Sequence, residues 1–256
     1  MTLALLIGFV SCKKDKKEPE HVHEPEPTPV ATTGNLKIEF ENMVDTNELV
    51  FGQKYLNNGD TFKVSKFNYY ISNIVITKTD NSTFTEANSY HLVEHSNPAS
   101  SLINLANVPV ASYKSISFTL GVDSARSNSG VSGQVGDLAL SNNMYWGWSS
   151  GYIMVKLEGT APTSTATGNT FAYHIGGFGG ANKTQRNFNF TFASTPANVS
   201  ATSQSVIHLS VDVLEMLKTP NAISFATTNV VHMPGASAKL FADNYADMIS
   251  FEHVHN

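Results

Sequence analysis

Cysteine is almost missing from this chain. Cys12 is the one thiol among 256 residues, so the rest of the chain holds no internal disulfide and offers no thiolate to a metal. Its chemistry falls to nitrogen, oxygen and thioether groups. Charge is also scarce, at 14% of residues, and 16 basic against 21 acidic side chains leave a formal charge of -5. Outside residues 13–17 no Lys/Arg cluster offers a groove for phosphates, which argues against nucleic acid as a partner. No Gly-X-Ser-X-Gly elbow fixes a nucleophile. The run Gly176-Gly177-Phe178-Gly179-Gly180 lacks the pattern of a phosphate-binding loop, so the chain reads as non-catalytic.

The amino terminus carries a short apolar run, Leu3 to Val10, that stops at Ser11-Cys12 and is followed at once by Lys13-Lys14-Asp15-Lys16-Lys17. The run is too short to span a bilayer and reads as a signal peptide. A small residue before Cys12 resembles a bacterial lipobox, although Phe9 departs from the usual leucine. Residues 1–12 are therefore expected to be the signal and lipobox, with Cys12 lipidated. Residues 13–34 hold Glu-Pro repeats and no apolar periodicity, as expected of a solvated tether. His21 and His23 in that tether are read as solvated linker histidines. Residues 35–256, within a chain that is 41% hydrophobic, can bury one substantial core as a single domain.

From Leu36 onward apolar residues alternate with polar ones in the period of a half-buried strand, with Leu36, Ile38 and Phe40 on one face and Asn35, Lys37 and Glu39 on the other. Similar runs recur near Phe67 to Thr77, Tyr113 to Leu120, Gly151 to Leu157, Phe171 to Ile175, Phe188 to Phe192, Ser205 to Val211 and Ile249 to Val254, separated by turn residues. This spacing predicts an all-β fold, a single β-sandwich. Two short connecting helices are expected, at Val211 to Leu217 and at Ser237 to Met248, with Ser237 as the N-cap of the second. The Asp123 to Asp137 loop is rich in Ser, Gly and Asn. It reads as a polar connection in preference to a calcium loop, whose spacing it does not match.

The densest motif is Met144-Tyr145-Trp146-Gly147-Trp148, which holds both tryptophans of the chain. On composition alone two indoles at this spacing are a hydrophobic anchor. Taken with Phe118-Thr119-Leu120-Gly121-Val122-Asp123, Tyr173-His174-Ile175-Gly176-Gly177 and the terminal Phe251-Glu252-His253-Val254-His255-Asn256, in that order along the chain, it resembles the MbnP-like family of copper-binding proteins. The resemblance implies copper as the bound metal and a cell-envelope location on the periplasmic or outer-membrane face. It also implies a dihaem cytochrome c peroxidase-like partner that oxidises a tryptophan to kynurenine, with Trp146 and Trp148 as the possible targets.

Nitrogen and thioether donors for such a metal are present. If the last strand stays extended, His253 and His255 leave it on one face together with Ile249 and Phe251, the face expected to look inward. His174 precedes a glycine-rich turn that lets backbone approach a site, and His232-Met233 pairs an imidazole with a thioether of the kind that favours Cu(I). His174, His232, Met233, His253 and His255 are thus the candidate ligands. Each has a structural alternative: a histidine capping a strand end, a packed loop methionine, solvated histidines on a frayed terminus. His208 ranks lower because it sits opposite Ile207, Leu209 and Val211. His91 and His95 read as separate and solvent-facing. The rival function is a surface adhesion or glycan-binding lipoprotein, which would show exposed coplanar aromatics instead of converging histidines.

Overall fold

The computed structural model describes residues 32–256 apart from 131, 133, 149, 150 and 193. Cys12, His21, His23 and nearly all of the expected tether lie outside the described residues. Strand β1 (Thr33–Val44) begins within the last two residues assigned to that tether. It buries Leu36, Ile38 and Phe40 while Lys37, Glu39 and Glu41 face out, as the period of two requires.

Two short strands, β2 (Asn47–Glu48) and β3 (Tyr55–Asn57), lead into the long β4 (Asp60–Lys78). The chain continues through β5 (Thr83–Thr85), β6 (Tyr90–Glu94), β7 (Leu102–Pro109) and β8 (Ala111–Leu120) to a one-turn helix α1 (Ser124–Asn128). After a long connection come β9 (Ile153–Thr160), β10 (Thr170–Gly176), β11 (Arg186–Thr191), β12 (Ala197–Val199) and β13 (Ser205–Asp212). The described chain ends with β14 (Val230–Val231), helix α2 (Ala236–Asn244) and β15 (Ile249–His255).

These strands form two sheets, so the protein is all-β. The smaller runs β15-β13-β1-β2 with β7 also on β1, and the larger runs β11-β8-β4-β9-β10-β14, with β3, β5 and β6 on β4 and β12 on β8. Most neighbours are antiparallel, but β1 with β13 and β10 with β14 are parallel. The sheets meet through their inner faces: the Phe40 ring packs edge-on against Tyr69, centroids 6.2 Å apart, and against Phe118 at 5.7 Å. Helix α2 packs on the inner face of β10, where Phe241 lies against Tyr173 at 4.5 Å.

A second layer covers part of the larger sheet from outside. The connection after β8 folds back so that Leu138, Met144, Trp146 and Tyr152 are buried; the Tyr70 hydroxyl donates to the Asp137 carbonyl at 2.8 Å and Tyr152 packs edge-on against Tyr70. Both aspartates of the polar loop are occupied as acceptors. Asp123 takes the Arg126 amide at 2.9 Å and the Tyr90 hydroxyl at 2.5 Å, and Asp137 takes the Leu92 amide at 2.9 Å. That is the work of a polar connection.

The connecting helices differ from expectation in detail. The first is a single 3-10 turn, Val213–Met216, whose Leu214 amide donates to the Asp212 carboxylate. The second starts one residue earlier than Ser237, with Gly235 at the N-cap and no side-chain cap bond. The positive φ of 148° at Gly235 suits glycine and sets the start of the helix ahead of Ser237. Among the described residues no helix is long and apolar enough to cross a membrane.

Candidate metal centre

His174 leaves β10 on the outer face because Tyr173 and Ile175, on either side of it, are fully buried. Strand β14 lies parallel to β10 with Ala172 opposite Val230 and Tyr173 opposite Val231, and one further step along that register brings His232 beside His174. The two imidazoles stack with centroids 4.1 Å apart and planes 20° from parallel. On the other side of His174, Glu158 of β9 accepts from its Nε2 at 2.7 Å.

This hydrogen bond sets the ring's chemistry. The bond from His174 holds the Glu158 carboxyl below its usual range, so it is an acceptor only and Nε2 carries the hydrogen. In the neutral ring Nδ1 then keeps its lone pair. Carboxylates play this orienting role behind metal-ligating histidines, fixing tautomer and raising basicity. Partial desolvation of the His232 imidazole, which is still exposed at its edge, and the charge His174 would carry keep His232 below the usual imidazole value, which favours the neutral, ligating form. Met233 follows with its side chain exposed. Lys156 stands opposite His174 across the β9–β10 ladder, its amine donating to the Asn143 carbonyl and lowered by burial.

The tryptophans sit on a hairpin reaching this same face. The Ile153 amide donates to the Met144 carbonyl at 2.8 Å, and the Trp146 amide to the Gly151 carbonyl at 3.0 Å. Trp146 is 5% exposed while Trp148 is 62% exposed, and their rings lie 5.6 Å apart at 40°. The Trp146 ring covers Gly176: a Cβ there would come within 2.7 Å of it. Since Gly176 is two residues beyond His174 on β10, the imidazole pair and the tryptophan pair are neighbours along one strand. Trp148 is the one exposed aromatic among the described residues, so no coplanar exposed pair of the kind expected for glycan stacking is found among them.

His253 and His255 do not join His174. Leu209 pairs with Phe251 but His208 pairs with His253, so Glu252 is an extra residue, a β-bulge that reverses the alternation. The inward expectation for the two terminal histidines is thereby corrected: they face out from the smaller sheet. His253 stacks on His208 with centroids 4.4 Å apart and planes 9° from parallel, while His255 lies opposite Val206 and is exposed. His208 Nδ1 is 3.2 Å from Glu39 and 3.2 Å from Glu41. His91 is held by Glu86 at 2.8 Å, and His95 packs on Phe51 and meets Asn42 at 3.3 Å, so these two stand apart from both pairs.

Fold and site together define a class: a two-sheet β-sandwich with stacked histidine pairs on its outer faces and a tryptophan hairpin beside one of them. The chain belongs to the MbnP family, whose sequence model matches residues 33–234. The solved structure of MbnP from Methylosinus trichosporium is similar to it with a TM-score of 0.54 and 14% identity, covering 81% of this chain and 83% of that one. At that identity the likeness speaks for the fold. No curated protein matches the chain significantly. The family match stops before α2 and β15, leaving His253 and His255 outside it.

Proposed function

We propose that this protein is a non-catalytic, lipid-anchored copper-binding protein of the cell envelope. Membership of a family associated with copper handling supports the metal, and the carrying observation is the His174–His232 pair with Glu158 fixing one tautomer. Its donor set fits copper: two imidazoles, with a thioether in the next residue, suit Cu(I) better than a hard cation. His232 and Met233 are on the surface and turn to an ion at little cost, while His174 is preset. Copper is cargo here, and the chain's task is to hold it.

The exposed Trp148, tilted against the buried Trp146, is the better placed of the two indoles for oxidation by a docked dihaem peroxidase-like partner. A kynurenine at that position would add a carbonyl and an amine at the rim of the copper site. Cys12 is the anchor, since it follows the apolar run and precedes the charged tether.

Protein isolated from native envelopes tests the reading as a whole. It should sediment with membranes, with Cys12→Ser releasing it, carry copper by elemental analysis, and show mass-modified Trp148 in peptide spectra. Copper-free protein from copper-replete cells would contradict the proposal; unmodified Trp148 in copper-loaded material would remove the oxidation and leave the binding.

A further inference from the structure

We infer that Glu39, Glu41 and His208 form a second metal site, for a borderline divalent ion of the Zn2+/Cu2+ class, on the outer face of the smaller sheet. The register builds it. Glu39 lies directly opposite His208 across the parallel β1–β13 pair, and His208 directly opposite His253 across the antiparallel β13–β15 pair. Glu41 is the next outward residue on β1. All three side chains have a ligand atom within 4.8 Å of the others.

The distances distinguish this group from an ordinary ion pair. Where histidine and glutamate simply pair in this protein, one nitrogen meets one carboxylate at 2.7 Å (His174 with Glu158) or 2.8 Å (His91 with Glu86), the length of a charge-assisted bond. His208 Nδ1 instead stands equally far, 3.2 Å, from two carboxylates, and one nitrogen has only one hydrogen to give. With metal–nitrogen and metal–oxygen distances of about 2.0–2.2 Å, neighbouring donors of a tetrahedral ion are separated by about 3.3 Å. The two equal separations match two edges of such a polyhedron.

Charge agrees with geometry. Among the described residues no lysine or arginine pairs with Glu39 or Glu41, although Lys37 is the next outward residue of β1. A neutral imidazole beside two carboxylates leaves two negative charges for a divalent ion. Two carboxylates make the set too hard for Cu(I), and the imidazole makes it a poor calcium site. His253 stacks flat on His208 and so holds the ring's orientation as a positioning residue. The glutamates also line a groove of about 470 Å³ with Glu48 and His95, which leaves the group open to solvent. The group shares no residue with the His174–His232 pair, which stands on the other sheet, so the site does not depend on the copper reading.

Zn2+ titrated calorimetrically into the full chain tests it. In a His174→Ala/His232→Ala background, one Zn2+ per chain should bind, and His208→Ala or Glu39→Gln/Glu41→Gln should weaken that binding by at least about tenfold. His253→Phe, which keeps a flat ring, should hold the wild-type affinity that His253→Ala reduces. If the background variant fails to fold by circular dichroism, His208→Ala in the wild type should lower the bound Zn2+ by one equivalent. No uptake in a folded background, or uptake indifferent to Glu39, Glu41 and His208, would overturn the site. Cu(I) affinity in Glu39→Gln/Glu41→Gln, expected to be unchanged, keeps the two sites separable.

Discussion

At His174 one hydrogen bond decides which nitrogen is free, and two residues away one missing Cβ decides where an indole lies. The outward direction of His174 was legible from the alternation of Phe171, Tyr173 and Ile175. Its partners were not: Glu158 is sixteen positions away and His232 fifty-eight, and no local pattern joins them. Gly176 is the residue through which the sites touch. In Gly176→Ala the new methyl would sit 2.7 Å from both the Trp146 ring and the Tyr152 carbonyl. Overpacking of this kind costs about 1–3 kcal/mol. Urea denaturation should show that loss, with a shift in tryptophan emission as Trp146 is displaced; wild-type stability and emission would mean that the ring is not seated on β10.

Among the elements, long strands with strict alternation were readable and short or irregular ones were not. Runs such as Leu36 to Phe40 and Ser205 to Val211 declare a buried and a solvent face, so the sandwich could be inferred. A two-residue strand such as β14 carries no period, and parallel pairing with β10 leaves no turn signature in the sequence. The bulge at Glu252 defeated the reading of β15, because one extra residue exchanges the faces of everything after it. Glu39 was visibly outward on β1 and Glu41 continues that alternation in the structure, but the meeting of Glu41 with His208 depends on a register set 167 residues later. The core itself rests on contacts between sheets. Phe40→Ala removes a ring that is 1% exposed and touches both Tyr69 and Phe118, and should cost about 3–5 kcal/mol. The same change at the half-buried Phe190 should cost less. Equal losses would place the sheet contact elsewhere.

For the whole molecule, the sandwich separates two donor sets by chemistry. Imidazoles with a thioether stand on the larger sheet beside the tryptophans, and an imidazole with two carboxylates stands on the smaller one. The first set carries the functional account, and protons report on it, because imidazole must be neutral to bind. His232 is held below the usual imidazole value of about 6.5, so it stays neutral as pH falls through that value and protonates only at lower pH. Protonation of His232 should therefore compete with copper only below that value. The most direct measurement is a Cu(I) competition titration of the wild type, His174→Ala, His232→Ala and the control His91→Ala across this pH range. Either site substitution should lower affinity by at least about tenfold, with His91→Ala equal to wild type. Undiminished Cu(I) affinity in a folded His174→Ala/His232→Ala double variant would contradict it.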